Sequence, residues 1–385
     1  MRVVAAIDSF KGSLSSLQAG NAVKEAVCRL DKHADVVVKP LADGGEGTVE
    51  ALASGLDAEA VDIYVSDPLM RPVKAKYCIL KETNTAVIEM ASASGITLIP
   101  AEERNPLETT TYGVGELIRD AIERGCRRFV IGLGGSATND GGTGMLTALG
   151  VRFLDGDGKP VPPGAKGLEA LCRISTENMM AELKDCTFHI ACDVKNPLCG
   201  ENGCSAVFSP QKGAAPEMIA PMDVWLDKYA ALTKTVSDRA DKNREGAGAA
   251  GGLGFAFLAY TNAELKSGIE IVLEETHLED SIRSADVVVT GEGRLDSQTV
   301  MGKAPVGVAR LAKKYGKKVI AFCGCAAADA EICNAYGIDA FFPILQRVTT
   351  LKEALDENNA YENLRATAYQ VFRLILPDEV PAERQ

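Results

Sequence analysis

The sequence predicts an α/β protein. It combines a Rossmann-like domain, with a parallel sheet and discontinuous in the chain, and an inserted second α/β domain with a mixed sheet. Short β-branched runs alternate with helical stretches over much of the chain. Three extended runs between Ala58 and Met90 leave no room for crossover helices, which indicates antiparallel strands. The length of 385 residues also exceeds what one hydrophobic core usually spans.

We predict that residues 1–67 and 285–385 form the Rossmann-like domain and residues 68–284 the inserted domain, with Asp67–Pro72 as the crossing point. The predicted strands outside the antiparallel part are Val3–Ile7, Val36–Lys39, Phe129–Ile131, Phe188–Cys192, Val287–Thr290, Lys318–Phe322 and Ala340–Pro343. Ligands of open α/β sheets bind beyond the carboxyl ends of strands. The loops after these strands are therefore where we expect the chemistry.

Charge and composition exclude several classes of partner. The 41 Lys and Arg residues against 53 Asp and Glu residues leave a net charge of −12, so we expect neither a nucleic acid nor a membrane partner. The 11 cysteines contain no C-x-x-C pair and are predicted to be buried, reduced thiols. Asp8 interrupts the apolar N-terminus too early for a signal peptide, so we expect a cytoplasmic protein. The oligomeric state stays open, a homo-oligomer included.

Five segments contain charged or hydroxyl residues, and most of them come directly after a predicted strand; four of the five also contain glycine. They are residues 8–13, 41–48, 132–144, 192–197 and 290–297. Glycine lets backbone N–H groups face phosphate oxygens, and carboxylates bind Mg²⁺. Each segment also has a plainer interpretation, as a helix cap, a turn, a linker or an internal ion pair.

Residues 132–144 are the richest of these segments, with six glycines in thirteen residues. They lie between a predicted strand and the helix that opens at Met145. Because a helix N-terminus attracts anions, we predict that this loop holds phosphate groups.

Two familiar nucleotide motifs fail on their context. Residues 246–251 satisfy G-x-G-x-x-G, but a polar segment precedes them where a dinucleotide loop needs a strand. Gly302 and Lys303 are followed by Ala304, so there is no Walker loop.

Seven strings along residues 8–305 resemble the bacterial type I glycerate kinase family: DSFKGSLS, PLADGGEGT, GLGGSATNDGG, CDVKNPLCG, SPQKGA, GAGAAGGLGF and TGEGRLDSQTVMGKAP. The resemblance implies a transferase that phosphorylates D-glycerate with ATP and Mg²⁺, generally at the 2-hydroxyl, in the route from glyoxylate or sugar diacids. It also implies a Rossmann-like domain and an inserted α/β domain with the active site between them.

Substrate chemistry suggests roles within these loops. A carboxylate must accept the proton of the attacking hydroxyl, and cations must bind the glycerate carboxylate. The expected catalytic residues are Asp193, as first choice of base, Asp8, Lys11 and Arg294. The expected nucleotide-binding residues are Gly134, Gly135, Ser136, Thr138, Asn139, Asp140, Gly291 and Gly293. Lys11, Arg294 and Arg71 are expected to bind glycerate, and Asp43, Glu46 and Asp296 to bind Mg²⁺.

Two other classes of protein remain as alternatives. An NAD(P)-dependent 2-hydroxyacid dehydrogenase would share the fold and the kind of substrate, but the chain has only three scattered histidines. A non-catalytic sensor of small acids would not need so many loop carboxylates.

Overall fold

The computed structural model describes residues 1–41, 52 and 56–376. These residues form two compact units. Among them, the first unit takes 1–41, 52, 56 and 272–376, and the second takes 57–271.

The strands of the described residues are, in chain order, β1 (Arg2–Ala5), β2 (Asp35–Val38), β3 (Ala58–Ser66), β4 (Pro72–Leu80), β5 (Thr85–Glu89), β6 (Arg128–Gly132), β7 (Arg152–Leu154), β8 (Arg173–Ser175), β9 (Thr187–Ala191), β10 (Ala263–Lys266), β11 (Val287–Leu295), β12 (Lys318–Ala326) and β13 (Ala340–Pro343).

The α-helices of the same residues are α1 (Ser16–Leu30), α2 (Ala91–Ser94), α3 (Tyr112–Glu123), α4 (Thr143–Ala148), α5 (Gly167–Ala170), α6 (Cys204–Phe208), α7 (Pro216–Thr233), α8 (Ala249–Tyr260), α9 (Gly268–Glu275), α10 (Leu278–Arg283), α11 (Ala304–Lys314), α12 (Leu351–Leu355) and α13 (Glu357–Ile375). Short 3₁₀ turns lie between them, one of which is Pro210–Lys212.

The first unit has a five-stranded sheet in the order β13-β12-β11-β1-β2, with every pair parallel. Its core strands are apolar because both faces are covered; Val3, Val4 and Ala5 have no exposed surface. From β1 the chain continues to β2 on one side, and from β11 it continues to β12 on the other. The switch point of this doubly wound sheet therefore lies between β1 and β11.

The second unit has a six-stranded mixed sheet in the order β10-β9-β6-β5-β4-β3. β3, β4 and β5 pair antiparallel, whereas β5, β6, β9 and β10 pair parallel. Aromatic rings of neighbouring strands stack in its core, with the Phe129 and Phe188 centroids 4.7 Å apart. Helix α8 is apolar all round and buried, as expected for a helix inside a core.

The predicted fold class is confirmed, including the antiparallel part of the mixed sheet. The position of the crossing differs. β3 pairs with β4 along its whole length, from Ala58↔Leu80 to Ser66↔Pro72, so Asp67–Pro72 belongs to a hairpin of the second unit. Residues 58–67 thus lie with the inserted part, and residues 272–284 with the first unit.

Among the described residues, the structure contains no helix with the length and apolar character needed to cross a membrane. All 11 cysteines are free thiols; the prediction that they are buried is wrong for Cys172 and Cys325, which are exposed.

Candidate functional site

A cavity of about 620 Å³ lies in the first unit, beside the switch point of its sheet; we call it the first-unit cavity. It lies where β1 and β11 lead out of the sheet, and the Asp8 N–H donates to the Gly291 carbonyl at 2.9 Å. Charged groups line one part of it: Asp8, Lys11, Glu292, Arg294, Asp296 and Lys303. The cavity therefore brings together five of the predicted site residues, Asp8, Lys11, Gly293, Arg294 and Asp296.

The carboxylates of this cavity are held in fixed positions. Asp8 is buried and its Oδ1 accepts from the Ser9 N–H at 2.7 Å. Glu292 accepts from Thr299 Oγ1 at 2.7 Å and from Lys303 Nζ at 3.3 Å. Burial raises the pKa of Glu292, while its two donors act in the opposite direction. Sequence reasoning did not assign Glu292 a role, although it lies in a segment already singled out.

Arg294 and Asp296 form an ion pair with Nε and Oδ2 3.3 Å apart. The sequence predicts that both residues belong to a loop, but β11 pairs with β12 as far as Leu295. Arg294 therefore projects from a strand, and Asp296 follows its end. Backbone pairing holds these side chains more firmly than a loop would.

The two glycines predicted to bind nucleotide in this unit have different surroundings. A Cβ on Gly291 would lie 2.0 Å from the Phe322 carbonyl oxygen, so strand packing alone requires glycine there. Gly293 lines the first-unit cavity, and a Cβ there would make only ordinary contacts.

The other part of the first-unit cavity is apolar. Its lining includes Ile344, Leu345, Leu351, Ala354 and Leu355. Helix α12 supplies three of these residues. A capping box fixes its start, since the Thr350 hydroxyl accepts from the Glu353 N–H and the Glu353 carboxylate accepts from the Thr350 N–H.

A pocket of about 420 Å³ lies in the second unit; we call it the second-unit pocket. The segments after the neighbouring parallel strands β6 and β9 form much of its lining, with Gly134, Gly135 and Ser136 from one and Asp193 from the other. The Gly135 carbonyl accepts from the Ile96 N–H at 2.8 Å, and this bond ties the segment after β6 to the segment that follows α2.

Lys212 is a buried cation in the lining of this pocket. Only 2% of its surface is exposed, and its Nζ donates to Ser136 Oγ at 2.8 Å and to the Thr138 carbonyl at 2.7 Å. Burial lowers its pKa to about 8. An ammonium has three donors, so Lys212 retains one for a ligand. Sequence reasoning missed this residue; the string SPQKGA contains it, but nothing in the string shows that it is buried.

Asp140 holds the shape of residues 132–144, which we call the glycine-rich loop. Its carboxylate is fully buried and accepts hydrogen bonds from the backbone N–H groups of Thr111, Gly142 and Gly144 at 2.9–3.1 Å. It also accepts from the Thr111 and Thr110 hydroxyls. The N–H groups at the start of α4 thus already serve a carboxylate of the protein. A ligand phosphate would have to bind elsewhere on the loop.

The glycine-rich loop therefore divides into two parts. Gly134, Gly135 and Ser136 line the second-unit pocket, whereas Thr138, Asn139 and Asp140 have no exposed surface. Asn139 donates from Nδ2 to Ser205 Oγ at 2.9 Å. We interpret the second part as the support of the first.

Gly134 differs from its neighbours in having no structural reason to be glycine. A Cβ there would meet no atom within 4 Å, and its φ is not in the left-handed region. By contrast, Ala250, on another side of the same pocket, has a φ of 49°, which is unfavourable for a side chain. Strain of this kind clusters at binding sites.

Arg71 lies outside the lining of both cavities. Its guanidinium donates to Asp67 Oδ2 and to Glu103 Oε2, both at 2.8 Å. These bonds fix the hairpin between β3 and β4, and the predicted role of Arg71 in binding glycerate stays a prediction.

Asp43 and Glu46 lie outside the described residues. Within the described part of the chain, no three His, Cys, Asp or Glu side chains cluster closely enough to hold a metal ion by themselves. Mg²⁺ in nucleotide sites usually takes only one or two carboxylates and completes its shell with phosphate oxygens and water. Asp296 in the first-unit cavity fits that requirement.

The first unit is a doubly wound α/β domain with a charged cavity at the switch point of its sheet. The second is an α/β domain whose pocket contains a buried lysine. The model of the glycerate kinase family matches residues 3–376. The chain is 45% identical to a glycerate kinase of Haemophilus influenzae over 375 residues, which covers 97% of this chain and 99% of that protein. It is 46% identical to a glycerate 2-kinase of Escherichia coli over 364 residues, 94% of this chain and 95% of that protein.

A crystal structure described as "putative glycerate kinase 2 from Salmonella typhimurium LT2" superposes with a TM-score of 0.89 at 45% identity. It covers 97% of this chain and 98% of that one. The chain belongs to the glycerate kinase family, and the resemblance seen in its sequence is confirmed. It is therefore a kinase that acts on an alcohol group.

Proposed function

We propose that the protein transfers the γ-phosphoryl group of ATP to the 2-hydroxyl of D-glycerate and releases 2-phosphoglycerate and ADP. Family membership supports the kinase reaction, and the name of the Escherichia coli relative supports the 2-position. The product would enter the route from glyoxylate or sugar diacids that the resemblance implies. Family membership favours neither a dehydrogenase nor a sensor.

The observation that carries the proposal is the buried Lys212 ammonium in a pocket that also contains the Asp193 carboxylate. Glycerate has one carboxylate and, at its 2-position, one hydroxyl that must lose a proton. We propose that Lys212 and the exposed backbone of Gly134 and Gly135 bind the carboxylate. Asp193 then accepts the proton of the 2-hydroxyl as the oxygen attacks phosphorus.

We propose that the charged part of the first-unit cavity binds the phosphate groups of ATP. Lys11 and Arg294, which the sequence predicts to bind glycerate, line the same cavity as Asp8 and Asp296. The positive charges of Lys11 and Arg294, together with the backbone N–H groups near Gly293, suit phosphate oxygens. Asp296 would hold Mg²⁺, which neutralises phosphate charge when bound. Asp43 and Glu46 remain predicted ligands of the same ion.

Asp8 is the second candidate for the base. Its carboxylate is buried in the first-unit cavity and already accepts a backbone hydrogen bond. We propose that it positions the loop that carries Lys11.

The test is a ³¹P NMR spectrum of a reaction with D-glycerate, ATP and Mg²⁺, together with an assay of ADP release. We expect equal amounts of ADP and 2-phosphoglycerate. Formation of 3-phosphoglycerate would reject the 2-position, and no phosphorylated glycerate would reject the reaction itself. NADH oxidation with hydroxypyruvate would instead support a dehydrogenase.

The base is tested by Asp193→Asn, with Asp157→Asn in an exposed turn as the matched control. We expect kcat to fall about 10²–10⁴-fold in the first variant, the usual contribution of a general base, and to stay unchanged in the second. Near-normal turnover of folded Asp193→Asn would remove Asp193 as the base.

A further inference from the structure

We propose that the apolar part of the first-unit cavity binds the nucleoside of ATP, with the base against Leu345, Leu351 and Leu355. This inference rests on the proposed function, because it concerns the nucleotide of the same reaction. It adds a binding site for the base, which neither family membership nor the phosphate-binding residues assign.

The lining of the cavity has a charged part and an apolar part, as a nucleotide has charged phosphates and a largely apolar base. The charged groups around β1 and β11 occupy one part, and the residues that follow β13 and form α12 occupy the other. Glycerate, with one CH and one CH₂ group, has little apolar surface to bury against leucines. Its few atoms would also leave most of the roughly 620 Å³ empty.

The leucines of this part lack protein cover. Leu351 is 74% exposed, Leu355 40% and Leu345 39%, although leucine is usually buried. All three line the same cavity. A heterocyclic base placed there would remove their apolar surface from water, which is favourable. The capping box of α12 holds two of the three in place before any ligand arrives.

The position of the cavity in the fold points to the same class of ligand. It lies by the carboxyl ends of the parallel strands at the switch point, where doubly wound sheets bind nucleotides and related cofactors. Gln298, also in the lining, offers an amide that can hydrogen-bond to a base.

Cys325 gives a direct readout of occupancy that does not depend on turnover. Its thiol is exposed and lines the first-unit cavity. Cys172 is the other exposed cysteine and lines neither cavity, so it serves as an internal control in the same molecule.

The experiment is pulsed alkylation with iodoacetamide, followed by mass spectrometry of the two cysteine peptides. With ADP at about ten times its Kd, we expect alkylation of Cys325 to slow about tenfold, because only the free fraction reacts. Adenosine should also protect Cys325, although at higher concentration. D-Glycerate should not protect it, and the rate at Cys172 should stay constant throughout.

A second variant tests the apolar wall itself. Leu355→Asp places a charge against the base, and we expect the KM for ATP to rise about tenfold or more while the KM for D-glycerate is unchanged. Leu374→Asp, at an exposed leucine outside the cavity, is the matched control.

The inference is overturned if neither ADP nor adenosine protects Cys325, or if D-glycerate alone protects it. Its failure differs from failure of the proposed function. Turnover with an unprotected Cys325 rejects the base site only. Protection by ADP without phosphorylation of D-glycerate retains the base site and rejects the reaction.

Discussion

Lys212 links the pH to the affinity of the second-unit pocket for glycerate. Because burial lowers its pKa to about 8, the ammonium is charged below that pH and becomes neutral above it. The neutral form cannot pair with a carboxylate. We expect the KM for D-glycerate to be constant below about pH 8 and then to rise up to about tenfold per pH unit.

The measurement is the KM for D-glycerate from about pH 7 to about pH 9.5, a range that spans the titration of this group. Lys212→Met keeps the apolar stem and should show a high KM without the pH step, provided that its melting curve shows a folded protein. A flat profile for the unchanged chain would refute the assignment of Lys212 to the glycerate carboxylate.

Gly134 and Gly156 form a matched pair for testing close approach of a ligand to the backbone. Neither glycine has a left-handed φ. A Cβ on Gly134 would meet no atom within 4 Å, and a Cβ on Gly156 would meet only the Cys172 Sγ, at 3.9 Å. Alanine at both positions should change stability by about 0.5 kcal/mol or less. Only Gly134→Ala should raise the KM for D-glycerate. Equal kinetics of the two variants would show that no ligand lies against Gly134.

At the scale of elements, Asp140 determines whether the glycine-rich loop keeps its shape. In Asp140→Asn, one acceptor becomes an N–H donor while the surrounding donors remain. We expect the free energy of unfolding to fall by about 1–3 kcal/mol, the cost of a buried group left without its partner.

Urea denaturation measures this change. Asp155→Asn is the control, since Asp155 Oδ1 also accepts two backbone N–H groups, at 2.9 Å each, but in a solvent-accessible turn. If both variants lost the same stability, the special role of the buried Asp140 would be disproved.

The sequence predicts the strand-and-helix pattern of both units because β-branched runs and helical spacing are local signals. The prediction from sequence fails where pairing with a distant strand determines the structure. The composition of Gly291, Glu292 and Gly293 is typical of a loop, yet pairing with β12 extends the strand through them. Asp67–Pro72 could equally join domains or strands until β3 and β4 are seen to pair.

The site could be predicted to the level of its loops, but not to the level of its contacts. Asp8, Lys11, Gly134 and Asp193 do line cavities, as their positions after strands suggest. The burial of Asp140 and Lys212 could not be predicted, because burial and hydrogen-bond partners depend on distant parts of the chain.

At the scale of the whole molecule, the two units should respond separately to the two substrates. Each has its own sheet and its own hydrophobic core. We expect ADP to slow hydrogen exchange in residues 8–13 and 292–296, and D-glycerate to slow it in residues 133–136 and 192–194. At about ten times each Kd, the slowing should be about tenfold wherever exchange requires the free form.

Hydrogen–deuterium exchange with mass spectrometry follows both regions in one experiment, and the antiparallel strand pair β7 and β8, which lines neither cavity, is the reference. The reverse pattern, with ADP protecting the glycine-rich loop and D-glycerate protecting residues 8–13, would exchange the proposed ligands of the two cavities.

The pairing of β1 with β11 sets an order of events during synthesis. Val3 pairs with Val287, so β1 gains β11 as its neighbour only after the whole second unit has been translated. On the ribosome, residues 57–271 can fold while β1 still has an unpaired edge, and such edges invite association with other chains. β1 can therefore complete its pairing only after β11 has been synthesised. A chaperone that shields the nascent N-terminus until then would raise the yield of active enzyme.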